Sequence, residues 1–240
     1  VLLSPLPLPK IEYEDDGKLV ALRRDGRPKL VNLWATWCQP CLQELAEWTD
    51  HAVELAAAGI DVVTINVDEP ADDREGQKVQ IQAALTKLNS PFEAGLGTIQ
   101  LVNKFDVIQR AVMRLQQPLP VPSSFLVDGQ GNLRVIYKGP VSPAQLVADV
   151  DLLTADSKEV IAASVPYPGK WLGTLVGSSP NNLVMRFLEG NFVDEAEAYI
   201  RQLIDTEVKT LSYNPGEALL MLGAICVDQQ RYTEAAEAFE

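Results

Sequence analysis

The chain has 240 residues, 47% of them hydrophobic, with 33 acidic against 20 basic side chains and a formal net charge of −13. That balance argues against nucleic acid or an anionic membrane as partner, since both are met by a cationic surface. Three cysteines in a chain of this length cannot form a disulfide scaffold, and no apolar run reaches the roughly 18 to 20 residues that span a bilayer as a helix.

The opening VLLSPLPLPK is apolar but carries three prolines and lacks a basic n-region, so it does not read as an intact secretory signal. A hairpin is expected within residues 10–24. Residues 29–34, KLVNLW, follow the turn signal Asp25-Gly26-Arg27-Pro28 and read as a buried strand. From Cys41 to Ala58 the pattern becomes helical, with Leu42, Leu45, Trp48 or Thr49, Ala52, Val53 and Ala56 on one side and Gly59 as the stop. Ile60 to Val67 is a second β-branched strand, with Asp68 and Glu69 just after it, and a polar helix is expected from Asp73 to Leu88, closed by Asn89-Ser90-Pro91. Ile99 to Leu115 reads as a further helix. Strands at Ser123–Val127 and Leu133–Lys138 flank the turn signal Asp128-Gly129-Gln130-Gly131-Asn132, and Pro143 opens a helix that buries Leu146, Val147, Val150 and Leu153. This alternation predicts an α/β domain over residues 1–158, a mixed central sheet flanked by helices.

Residues 159–180 are expected to be a linker, rich in Gly and Pro, and residues 181–240 a small all-α domain. Within it an aromatic, an acidic residue and an alanine recur about 40 residues apart, at Phe192-Val193-Asp194-Glu195-Ala196 and at Tyr232-Thr233-Glu234-Ala235. Leu222-Gly223 before the second copy and Phe239 after it resemble the tetratricopeptide repeat, so the domain is read as a repeat array cut short at Glu240 and offering a surface to a protein partner.

The chemistry concentrates in Trp34-Ala35-Thr36-Trp37-Cys38-Gln39-Pro40-Cys41. Two cysteines at this spacing could be a redox couple, half of a metal site or buried packing residues. A structural zinc wants four ligands, and the lone His51 lies ten residues past Cys41 on the same helix, about 15 Å along the axis. Cys38, at the first turn of a helix directly after a strand, faces free backbone N–H groups and the positive end of the helix dipole, which favour thiolate over thiol. Cys41 falls over the same face within reach of it, and Pro40 presets the helical φ. Redox exchange is the favoured role. Cys226, inside a repeat helix, reads as a packing thiol.

The octapeptide resembles the active site of thioredoxin-fold proteins, most closely the extracytoplasmic thiol-disulfide oxidoreductases related to TlpA and ResA. That resemblance covers roughly residues 1–155 and implies a thioredoxin-like fold in which Cys38 is the nucleophile and Cys41 the buried resolving cysteine. Val121-Pro122-Ser123-Ser124-Phe125-Leu126-Val127-Asp128 resembles the family's cis-proline segment, with Ser where Thr is usual. By the same resemblance Glu44 is the acid-base residue, and Trp37, Gln39, Pro40, Val121 and Pro122 meet the substrate. Asn32 stands where cytoplasmic thioredoxins carry a buried aspartate, which moves proton handling to Glu44. The expected activity is dithiol–disulfide exchange with protein disulfides, outside the cytoplasm, without cofactor or metal, the couple being recycled by a membrane-bound reductant. The rival readings are an interaction protein that uses this domain as a platform, and a peroxidase-like thiol enzyme, whose peroxidatic cysteine has a different local sequence.

Overall fold

Strand β4 (Lys29–Trp34) is buried along its whole length, because helices cover both faces of the sheet at its centre. Its alternation is strict: Leu30 and Trp34 join one core, Val31 and Leu33 the other. The structure is a computed structural model and describes residues 1–2, 5–69, 73–113, 117–155, 157–164, 179–205 and 214–240.

Beside β4 runs β5 (Asp61–Asn66), parallel to it, and beside β5 runs β6 (Glu93–Leu96), again parallel. On the other side β7 (Ser123–Val127) pairs antiparallel with β4, and β8 (Asn132–Lys138) with β7. A short β1 (Leu6–Pro7) edges β8, and the hairpin of β2 (Glu12–Asp15) and β3 (Lys18–Ala21) edges β6. The order β1-β8-β7-β4-β5-β6-β2-β3 is the mixed sheet expected from the sequence. Two strands were not legible there. β6, EAGL, is short and contains a glycine, and Gly95 is needed because a Cβ would meet the Tyr13 ring at 2.3 Å. β1 is two residues beside prolines.

One core packs α1 (Gln39–Asp50), α2 (Ala52–Ala57), α3 (Arg74–Lys87) and α5 (Pro143–Asp151) against the sheet, through Leu45, Trp48, Leu55, Ile81, Leu85 and Leu146. The expected single helix from Cys41 to Ala58 is broken at His51. Leu55 faces the core on the same stripe as Leu45 and Trp48, whereas Val53 is 85% exposed, a correction to the expected apolar face.

The opposite core begins with α4 (Ile99–Met113), through Leu101, Phe105 and Ile108, and with the N-terminal residues Leu2, Leu6 and Leu8. It continues into α7 (Pro180–Glu189), α8 (Val193–Asp205), α9 (Pro215–Asp228) and α10 (Tyr232–Phe239). Each of these helices packs on the next, and α7 packs on α4. Tyr199 Oη donates to the Pro7 carbonyl at 2.6 Å and Gln202 Nε2 to the Leu8 carbonyl at 2.7 Å, so α8 is hydrogen-bonded to the N-terminal segment. The last residues of the expected first domain and the first of the expected linker form α6 (Ser157–Ser164), so that boundary falls inside a helix. Residues 165–178 of the linker lie outside the described residues. No helix among the described residues is long and apolar enough to cross a membrane.

Candidate active site

β4 ends at Trp34 and α1 begins at Gln39, so the four residues between them carry the chain from the sheet to the helix. The turn is clamped from outside. Asp68, two residues past β5, accepts the Thr36 N–H on both carboxylate oxygens at 3.1 and 3.2 Å, the Thr36 hydroxyl at 2.8 Å and Asn66 Nδ2 at 3.1 Å. The sequence signal for Asp68 was only its place after a strand; its partner lies 32 residues away.

Cys38 is the N-cap of α1, with extended backbone and its Sγ accepting the Cys41 N–H at 3.2 Å. Cys38 and Cys41 are joined as a disulfide with Cα atoms 5.3 Å apart. Cys38 is 4% exposed and Cys41 fully buried. Cys38 is therefore the more accessible of the two, and it stands at a helix N-terminus, whose unpaired N–H groups stabilise a thiolate over a thiol. Gln39 and Pro40, in the first turn, are exposed. Trp37 is 74% exposed, a large indole standing beside the couple, whereas Trp34 is in the core.

Across the sheet the Val121–Pro122 peptide bond is cis; neither Pro118 nor Pro120 follows a cis bond. Val121 packs against the apolar cluster that holds both cysteines, and Pro122 is buried at the start of β7. Asn32 and Ser124 are direct partners in the β4–β7 register, which points both side chains to the cysteine side of the sheet.

Glu44, one helical turn beyond Cys41, is 2% exposed. Its Oε1 accepts the Val141 N–H at 2.7 Å and its Oε2 accepts Asn32 Nδ2 at 3.0 Å. Asn32 Nδ2 also donates to Ser124 Oγ at 2.9 Å. The carbonyl of Val141, in the next peptide group, accepts Trp48 Nε1 at 2.9 Å. Burial pushes the Glu44 carboxyl up to about 7, and the charge of Glu47 adds to the rise; the hydrogen bonds from Val141 and Asn32 oppose it. A carboxyl poised there can both take and return a proton near neutral pH.

The structure thus brings Cys38, Cys41, Glu44, Trp37 and Val121 into one neighbourhood at the end of β4. It adds Asn32, Ser124, Val141 and Asp68, which the sequence did not mark as functional in themselves. Asn32 and Val141 reach Glu44 across 12 and 97 positions of chain, Ser124 reaches Asn32 across 92 and Asp68 reaches Thr36 across 32, so periodicity and spacing carry no trace of them. His51 lies exposed at the far end of α1, and Cys226 is a buried free thiol in α9.

Comparison with known proteins places these features in a wider set. The profile of the AhpC/TSA family matches residues 7–136, from β1 into β8. The thiol:disulfide interchange protein DsbE of Yersinia pestis is 35% identical over 142 residues, 58% of this chain and 65% of that protein. The thiol-disulfide oxidoreductase ResA of Bacillus subtilis (strain 168) is 23% identical over 141 residues, 58% of this chain and 69% of its own length. This chain therefore spans less than two thirds of the Yersinia relative. Among solved structures, a thiol:disulfide interchange protein of the thioredoxin family from Chlorobium tepidum TLS superposes with a TM-score of 0.50 at 24% identity, covering 62% of this chain and 96% of that one, a likeness of fold.

Proposed function

We propose, for a chain that belongs to the AhpC/TSA family, a thiol-disulfide oxidoreductase acting on protein disulfides through Cys38 and Cys41. The observation that carries this reading is the position of the couple, with an outer cysteine at a helix N-terminus and an inner one buried on the same helix one turn before the buried carboxyl of Glu44. In the reduced protein Cys38 thiolate attacks a substrate disulfide; that S–S bond breaks, one substrate sulfur leaves as thiolate, and a mixed disulfide to Cys38 forms. Glu44 then takes the proton of Cys41, whose thiolate attacks Cys38 Sγ and expels the second substrate sulfur. Two electrons have passed to the substrate, and its two thiolates take up protons, one returned by Glu44 and one from solvent.

Trp37, Gln39, Pro40, Val121 and Pro122 form the docking surface in this reading, supported by the exposure of the first three and by Val121 packing on the cysteine cluster. A reductant outside the chain returns two electrons and one proton to the couple, which leaves Cys38 as thiolate and Cys41 as thiol. The resemblance to TlpA and ResA supports a place outside the cytoplasm and a membrane-bound recycling partner. Residues 181–240 we read as a tetratricopeptide-like module that meets a protein partner. That reading draws support from the serial packing of α7 to α10 and from Gly223, where a Cβ would lie 2.3 Å from the Phe239 ring, so the glycine and aromatic of the repeat pattern meet.

Reduction of insulin disulfides tests the activity. Wild-type protein turns over, Cys38→Ser does not, and Cys41→Ser accumulates a mixed disulfide; Glu44→Gln slows resolution by about 10²-fold. No turnover by the wild type, or unchanged turnover by Cys38→Ser, would sink the assignment.

A further inference from the structure

Glu44 is buried with a donor at each oxygen: the Val141 N–H on Oε1 and Asn32 Nδ2 on Oε2. This arrangement suits a carboxylate. A carboxylic acid needs an acceptor for its own proton, and neither neighbour offers one as it stands. The Val141 N–H cannot become an acceptor, and the carbonyl of the same residue, in the next peptide group, is held by Trp48. The proton must therefore sit on Oε2, facing Asn32.

Asn32 can meet it. Its backbone is fixed between β5 and β7, but the terminal torsion of an asparagine is soft, and half a turn exchanges Oδ1 with Nδ2. After that turn Oδ1 accepts the proton of Glu44. Ser124 Oγ, now an acceptor for Nδ2, becomes a donor to Oδ1 by rotating its hydroxyl. Nothing is broken on the other side, because Asn32 Oδ1 is buried with no hydrogen-bond partner among the described residues. An orphan acceptor is exchanged for an orphan donor.

We infer that Asn32 is a positioning residue whose carboxamide turns over with the proton on Glu44, donating to the carboxylate and accepting from the carboxylic acid. The inference rests on the reading of Glu44 as the proton carrier and says how a carboxyl out of contact with water keeps a hydrogen bond in both states. The groups that face Glu44 are few. Among the described residues, Glu47 on α1 bears on it by charge, and Cys41 lies one turn before it on the same helix. The partners offered by β4, β7 and the segment before α5, namely Asn32, Ser124 and the Val141 amide, carry no charge.

The test uses the oxidised wild-type protein, in which the couple does not titrate. NMR follows the Glu44 carboxyl carbon together with nuclear Overhauser contacts from the Asn32 side-chain NH2 to the Ser124 β-protons. These contacts should be present at about pH 9, lost at about pH 5, and share the Glu44 midpoint. In Glu44→Gln they should not change with pH. Contacts that persist while Glu44 titrates would overturn the inference and leave the oxidoreductase reading intact, as would a Glu44 carboxyl that does not titrate in this range. Failure of insulin reduction by the same preparation would instead remove the function itself.

Discussion

Replacing Glu44 by glutamine removes a buried charge while keeping the shape of the side chain, and its effect on stability must depend on pH. The wild-type carboxyl ionises near 4.5 in the unfolded chain and at about 7 in the folded protein, chiefly because folding buries it. The folded protein thus keeps a proton that the unfolded chain releases. The stability this group contributes is full below about pH 4.5 and is lost as pH rises through about 7. The difference amounts to about 3 kcal/mol. Glutamine does not titrate, so the unfolding free energy of Glu44→Gln minus that of the wild type should grow by about 3 kcal/mol between about pH 4 and about pH 8. Taking the difference cancels the titration of the other carboxylates. Urea unfolding of the oxidised proteins measures it, followed by tryptophan fluorescence; three of the four tryptophans, Trp34, Trp37 and Trp48, lie within β4, α1 and the turn between them. A difference that stays constant across this range would refute the idea that burial raises this carboxyl.

Asp68→Ala removes the acceptor of two Thr36 donors and of Asn66 Nδ2 and should cost about 1 to 3 kcal/mol. Urea unfolding reads that loss, insulin reduction should slow with it as the turn before Cys38 loosens, and Asp68→Asn should recover part of both. Tyr199→Phe removes the hydroxyl that meets the Pro7 carbonyl and should cost about 1 kcal/mol. The loss should show as faster amide hydrogen exchange in the N-terminal segment and in α8, with insulin reduction unchanged; exchange unaltered in both would mean that the contact does not couple them.

Much of the fold could be read locally. The alternation in KLVNLW, the proline that opens α5 and the glycine-rich turn between β7 and β8 each act within a few residues, so β4, α5 and the hairpin stand near where the sequence puts them. The helix break at His51 was hidden because the apolar residues on either side fit one helical period as well as two. β6 was hidden because pairing with β5 and β2, and not its own composition, makes it a strand.

The candidate site divides in the same way. The sequence by itself determined the couple, since a strand, four residues and a helix with cysteines three apart put one sulfur at the helix N-terminus and the other a turn beneath it. It also put Glu44 one turn past Cys41, with an acid-base role implied by the family resemblance, while its burial came from the structure. Only the tertiary structure decided what Glu44 meets, because Asn32, Ser124 and Val141 come from β4, β7 and the segment before α5 and are joined by sheet register and packing. It likewise decided that α7 to α10 share a core with α4 and the N-terminal strand, since an amphipathic helix announces that it has a buried face and leaves the partner to the fold.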